Sequence, residues 1–296
     1  MRTLYLILNS FFATFFCFSQ TVRPFPMEES SLLWKIEGPE VASESYLFGT
    51  IHLIDEDKFY FPKKLMKIIQ KSDQVALEII LDASTDKQSE LIKHLTLKEG
   101  SLFDYFTPEQ TDSLLAWAEK ELQLAPEQFR LVMNKMKPFV VVQMATQMGI
   151  KGKTASYELN IETLAREKEI ELLELETIGM QIGFFDQLDS LQQTEMVMDI
   201  IRNQDENDQT TQLMHENYLS QDIDALYTLI ATTSGMTDEI QTLLVTNRNK
   251  NWIAPIRQFI AEDDTFIAVG AGHLGGPNGL IRLLEKEGYT LIPIKL

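Results

Sequence analysis

One pattern occurs twice, near opposite ends of the chain, and it constrains the fold more than any other feature. An apolar run ends in a glycine, and a histidine follows three positions later. The first copy is YLFGTIHL, with Gly49 and His52. The second is IAVGAGHL, with Gly270 and His273. Each run is the length of a buried strand, and each is followed by loop or helix signals. The second copy continues as glycine turn, helix NGLIRLLEKEG and strand YTLIPI. Gly288 falls where a helix C-terminal glycine belongs. A strand that returns through a helix to another strand is the unit of a parallel sheet covered by helices.

Further β-like runs fit the same plan: Leu33–Ile36, Tyr46–Ile51, Val75–Ile80, Ile170–Leu175, Thr265–Val269 and Thr290–Ile294. Helical patterns separate them, opened by Pro62 and Pro108, and residues 186–250 are long, polar and helical in pattern. Residues 83–157 show no convincing strand and read as a helical insertion. The expected fold is therefore α/β, a mixed, largely parallel sheet covered by helices, with that insertion. Residues 32–296 are expected to form one domain. The methionines at 133, 136, 144 and 148 have helical spacing and read as core rather than as a metal box.

The first 19 residues have one early positive charge, Arg2, and an apolar run from Leu4 to Phe18. The run is short for a membrane span, which needs about 20 apolar residues. It reads as a signal peptide, with Cys17 and Ser19 at the −3 and −1 positions of the cleavage site. Residues 20–31 read as an exposed leader. The expectation is an exported protein of a bacterial periplasm or cell envelope, with no stable membrane insertion after cleavage. Cys17 is the only cysteine, which excludes a disulfide framework, an Fe–S cluster and a CxxC zinc site. The net charge of −18 argues against nucleic acid, whose phosphates need Lys and Arg to release counterions.

Ligands in open α/β sheets bind outside the carboxyl ends of the strands. Parallel strands would place His52 and His273 on one such edge, with Gly49 and Gly270 allowing close approach of a substrate. Glu78 stands within an apolar run, VALEII, where an ionised carboxylate needs a partner or a metal. Glu174 and Glu176 share one face of another run by alternation, and Glu174 reads as a solvated strand end. His94 and His215 read as exposed helix residues. Imidazole with carboxylate suits Mn, Co or Zn, and a bound water can become the nucleophile. The same groups could equally perform metal-free acid–base hydrolysis. G-x-G-x-x-G is present at Gly270–Gly275, but the following strand ends at the chain's last residues without the acidic partner of a dinucleotide site. H-E-x-x-H fails, because Leu219 replaces the second histidine.

Taken in order, LWKIEG, SYLFGTIHL, VALEI, LELET, Arg248-Asn249 with Trp252, and VGAGHLGGPNGLIRLLEKEGY resemble the TraB/GumN family, which includes the Tiki-type metalloproteases. The resemblance covers roughly residues 31–296. It implies His52, His273 and Glu78 as metal ligands and Glu176 as a ligand or general base. Arg248 would stabilise developing negative charge, and Gln181 would contact substrate. It implies a divalent metal ion, Mn, Co or Zn, and a peptide or small-molecule substrate. The family often has aspartate where this chain has Glu158, and glycine at Glu174. The expected function is an exported metal-dependent hydrolase. The alternatives are an envelope ligand-binding protein for haem or iron, and a non-catalytic signalling or export factor.

Overall fold

The computed structural model describes residues 29–80, 85–148, 152–233 and 236–296. The segment read as a signal peptide, with Cys17, and most of the expected leader lie outside the described residues. Eight strands are present among the described residues: β1 (Leu33–Glu37), β2 (Ser45–Thr50), β3 (Ile54–Asp55), β4 (Gln74–Leu77), β5 (Thr154–Ala155), β6 (Glu171–Glu174), β7 (Thr265–Gly270) and β8 (Thr290–Ile294). Six of them form one sheet in the order β6-β4-β7-β2-β1-β8. The pairs β2/β7, β4/β7 and β4/β6 are parallel, whereas β1 runs antiparallel to both β2 and β8. The fold is thus α/β with a mixed, largely parallel sheet. The central strand β7 is buried along nearly its whole length, as a strand covered on both faces must be.

Two small strands lie outside that sheet. β3 and β5 pair antiparallel, Ile54 with Ala155 and Asp55 with Thr154. The stretch 83–157 therefore carries one short strand where none was expected. Two residues are too few to leave an alternation signal, and only pairing with the loop after β2 defines it. The described insertion is otherwise built on helices, over Thr85–Leu95, Pro108–Leu122, Pro126–Met133 and Pro138–Met148, joined by loops and the short turn Leu102–Tyr105. These helices pack around Leu114, Trp117, Phe129, Met133 and Val141, joined by Val197 and Met198 of the helix Ser190–Arg202. The larger cluster lies on the sheet, around Phe48, Leu77, Trp252, Phe266 and Ile267.

Local chemistry sets several element ends. The helix Pro108–Leu122 starts with proline at its first position, and Thr107 and Gln110 satisfy each other's backbone N–H groups. The helix Leu280–Lys286 ends as its sequence implied. Gly288 has φ +96°, its N–H donates to Glu285, and the Tyr289 N–H donates to Leu284. These two bonds are the Schellman closure, which an L side chain at position 288 would strain.

Candidate functional site

Register brings the site together. Thr50 lies opposite Gly270, so β2 and β7 end at the same level, and each releases its histidine just beyond. β4 ends at Leu77, so Glu78 is the first residue past the strand rather than inside it. The ladder nevertheless persists: the Leu175 N–H donates to Leu77 and the Glu176 N–H donates to Glu78. Those bonds set two glutamates side by side at the carboxyl edge, each nearly inaccessible to water. Glu174 is half-buried at the end of β6.

Arg248 stands between the two carboxylates. It opens the helix Asn247–Glu262, directly after one π-helical turn, Thr242–Thr246. Such turns are frequent at functional sites. Nη2 donates to Glu78 Oε2 at 2.5 Å and to Glu176 Oε1 at 2.6 Å, and Nε donates to Glu176 Oε1 at 3.0 Å. Nη1 donates to the Leu244 carbonyl and to His273 Nε2, both at 3.2 Å. A guanidinium has five N–H groups, and these five bonds engage all of them. Arg248 therefore has no donor left for a substrate oxyanion in this arrangement. Gln181 Nε2 bridges both carboxylates at 3.3 and 3.2 Å, and Trp252 Nε1 donates to Glu176 Oε2 at 3.2 Å. The Trp252 ring also packs against the guanidinium at 4.7 Å and against His273 at 4.6 Å.

The tautomer of His273 follows from its neighbours. Asn249 Nδ2 donates to the carbonyls of His273 and Asn278, so its Oδ1 is the acceptor for His273 Nδ1–H at 2.6 Å. Nε2 then keeps its lone pair and accepts from Arg248. Burial holds His273 neutral, with a pKa lowered to about 3. Burial alone would raise Glu78. Arg248 and the charged His52 facing it, with the Gly270 N–H on Oε1 at 2.7 Å, bring it down to about 2 instead. Arg248 is the permanent charge among them. Burial pushes Glu176 above the usual range; Arg248 opposes this and the neighbouring Glu78 charge adds to it.

His52 is the open member of the group. Its side chain is 73% exposed, and Nδ1 pairs with Glu158 Oε1 at 2.9 Å. Glu158 sits in the first turn of the helix Tyr157–Glu167, where the N-terminal dipole favours a carboxylate. Thr50 Oγ1 and Ser156 Oγ both donate to it. Desolvation of the ring's inner edge works against a charge on His52, but Glu158, with Glu78 behind, raises its pKa to about 9. Glu158 is the residue whose role the sequence left open. Its available signal was an acidic residue two positions after a serine at a helix start.

Gly270 is the meeting point. A Cβ placed there would lie 3.4 Å from Glu78 Oε1, 3.7 Å from His273 Cδ2 and 3.8 Å from His52 Nε2. Gly49 is different: its missing side chain faces Leu274 and Ala271, at 2.7 and 3.1 Å. It serves packing beneath the site, away from the space a substrate would occupy. His215 is buried, not exposed as expected, because the helix Gln204–Leu219 turns it onto the backbone at Leu53. His94 is half-buried with its ring against Gly179. A cavity of about 310 Å³ opens at the opposite, amino edge of the strands, lined by Tyr46, Lys67, Lys71 and Asp264, and touches none of these residues.

A model of the TraB/PrgY/gumN family matches residues 32–293. The chain belongs to that family. No curated protein and no solved structure matches it. The matched stretch contains every site residue of this TraB/PrgY/gumN member, from His52 to His273.

The donor types for a divalent ion are present, but their bonds are already used. Glu78 Oε2, both oxygens of Glu176 and His273 Nε2 all accept from Arg248, and Oε1 of Glu78 accepts from Gly270. Among the described residues, no three His, Cys, Asp or Glu side chains are arranged to hold one ion. As arranged, the site does not fit the Mn, Co or Zn expected from the sequence, and no step below depends on one.

Proposed function

We propose that this protein is a hydrolase that cleaves a peptide bond or a related carbonyl linkage by acid–base chemistry at His52. The observation that carries this reading is the exposed His52 ring, fixed at Nδ1 by Glu158, with Nε2 and Glu78 Oε1 facing the same space beside Gly270. A histidine oriented by a carboxylate presents one defined nitrogen to a reacting group. With a pKa near 9, His52 rests as imidazolium at neutral pH and is set to give a proton to a departing amine or alkoxide. Glu78 Oε1 is the carboxylate oxygen that orients the attacking water and takes its proton as the new C–O bond forms; His52 protonates the departing group as its bond to the carbonyl carbon breaks, and the proton on Glu78 then passes back to His52. Arg248, Glu176, Gln181 and Trp252 hold that carboxylate still, which is preorganisation rather than direct contact. The N-terminal segment, read as a signal peptide, supports a place for this reaction in the cell envelope.

Haem capture has less support. His273 Nε2 is occupied by Arg248, and His52 is held as a cation, so neither is a free axial ligand. The test is turnover of a peptide, amide and ester library by wild type and by His52→Ala. Hydrolysis by wild type that falls by about 10²-fold or more in a folded His52→Ala protein is the expected result. Equal turnover by the two proteins would overturn the assignment.

A further inference from the structure

We infer that the cation of this centre is the protein's own Arg248, and that the site works without a resident divalent metal ion. The inference rests on the geometry of the carboxyl edge and not on the hydrolase reading, so the two can fail separately.

Two buried carboxylates held side by side need a compensating cation. A divalent ion is the common answer, and the guanidinium supplies the other. Here Arg248 lies within 2.5–2.6 Å of both carboxylates. Its remaining N–H groups fall on Leu244 and on His273 Nε2, the imidazole nitrogen that would otherwise bind metal. Trp252 packs against the guanidinium and, with Asn249, fixes His273 behind it. The two ligating atoms that face Gly270 are Glu78 Oε1, which already accepts the Gly270 N–H, and His52 Nε2. Two protein ligands are fewer than the three a catalytic zinc site ordinarily keeps. An added ion would also lie beside a fixed positive charge that cannot be deprotonated. The planar fork matters as well as the charge, because one guanidinium reaches both carboxylates and the imidazole at once.

The test is metal content and metal response of the full chain, purified without chelators. Wild type is expected to carry well under one equivalent of Mn, Co or Zn, and excess of each ion should leave its melting temperature unchanged. Arg248→Met removes the cation and leaves the carboxylates and His273 Nε2 open. Its melting temperature should rise on adding Mn²⁺ or Zn²⁺, with affinity at least about tenfold above wild type. Should Arg248→Met fail to fold, Arg248→Lys serves instead: it keeps a charge, loses the fork, and should gain metal affinity over wild type. Near-stoichiometric metal in wild type, lost in His52→Ala/His273→Ala, would overturn the inference. So would metal affinity that is unchanged in both Arg248 variants. Neither result depends on finding a substrate.

Discussion

Replacing Arg248 by methionine should cost about 3–5 kcal/mol of stability at neutral pH in metal-free buffer, the usual penalty for removing one partner of a buried ion pair. The side chain is about nine-tenths buried, and five N–H bonds end on Glu78, Glu176, His273 and Leu244. Methionine fills much of the volume, so the loss is electrostatic rather than a cavity. Two carboxylates then face each other out of water with Gln181, Trp252 and the Gly270 N–H as their donors among the described side chains and strand ends. Part of the penalty is relieved by protonating Glu176, whose pKa is already raised. Each pH unit of that forced protonation costs about 1.4 kcal/mol. The variant therefore has carboxylate pKa values above those of the unfolded chain. Its folded form binds the extra protons, so its stability relative to wild type should recover as pH falls toward about 4.5. Adding Glu176→Gln should recover part of the loss at neutral pH, because one of the two charges is gone. Urea unfolding followed by circular dichroism measures all of this against a total of about 5–15 kcal/mol. A penalty below about 1 kcal/mol, or one that does not change between neutral pH and pH 4.5, would refute the picture of two buried, charged carboxylates held by one guanidinium.

Four further outcomes follow from the same geometry. Glu158→Gln removes the carboxylate that raises His52, so the alkaline limb of activity should move down from about pH 9 toward the ordinary histidine range; an unmoved pH–rate profile would detach Glu158 from His52. Wild-type stabilisation from His52 is complete below its unfolded pKa and lost as pH rises through about 9, so the same variant should flatten stability between neutral pH and 9 in pH-resolved melts. Gly270→Ala should keep the fold, since no contact of the new Cβ falls below 3.4 Å, yet it fills the space between Glu78, His273 and His52, and turnover should fall by about tenfold or more. His273 is depressed to about 3, so its contribution is whole above the unfolded histidine pKa and disappears as pH falls through 3. His273→Asn should therefore lose stability at neutral pH but show a shallower acid slope in chemical unfolding.

The parts of the fold written in the sequence were those with strong local periodicity. The strand–turn–helix–strand unit from Thr265 to Ile294 was legible because its apolar runs, its turn glycines and Gly288 each point the same way. That the two glycine–histidine segments end on one edge was legible too, since parallel strands release their carboxyl ends on the same side of a sheet; that they are direct neighbours was not. What escaped was contact information. β3 and β5 exist only through each other. His215 looked exposed because its helix is polar on nearly every side, and only packing against Leu53 buries it. Gly49 and Gly270 are indistinguishable in sequence context, yet one faces Leu274 and the other faces Glu78 and two histidines. Arg248 was placed at the site by resemblance, but no spacing could reveal that all five of its donors are spent on the protein itself.

That last point bears on what the centre is for. A buried arginine between two glutamates is poor evidence for stability, because apolar residues of similar volume often stabilise as well or better. The desolvation of three charges must be offset by bonds of good geometry, and this chain supplies them from several elements: a π-helical turn, the ends of β4 and β7, and the helices that carry Gln181 and Trp252. Such convergence fixes one carboxylate oxygen, Glu78 Oε1, beside the Gly270 N–H and opposite an exposed histidine. Structure alone would not require that oxygen to be held from so many directions. Chemistry on a bound substrate would, since a displacement of about 1 Å can cost about 10²-fold in rate. On the proposed reading, the buried cluster supports one exposed group, His52, and one carboxylate oxygen of Glu78 held buried behind it.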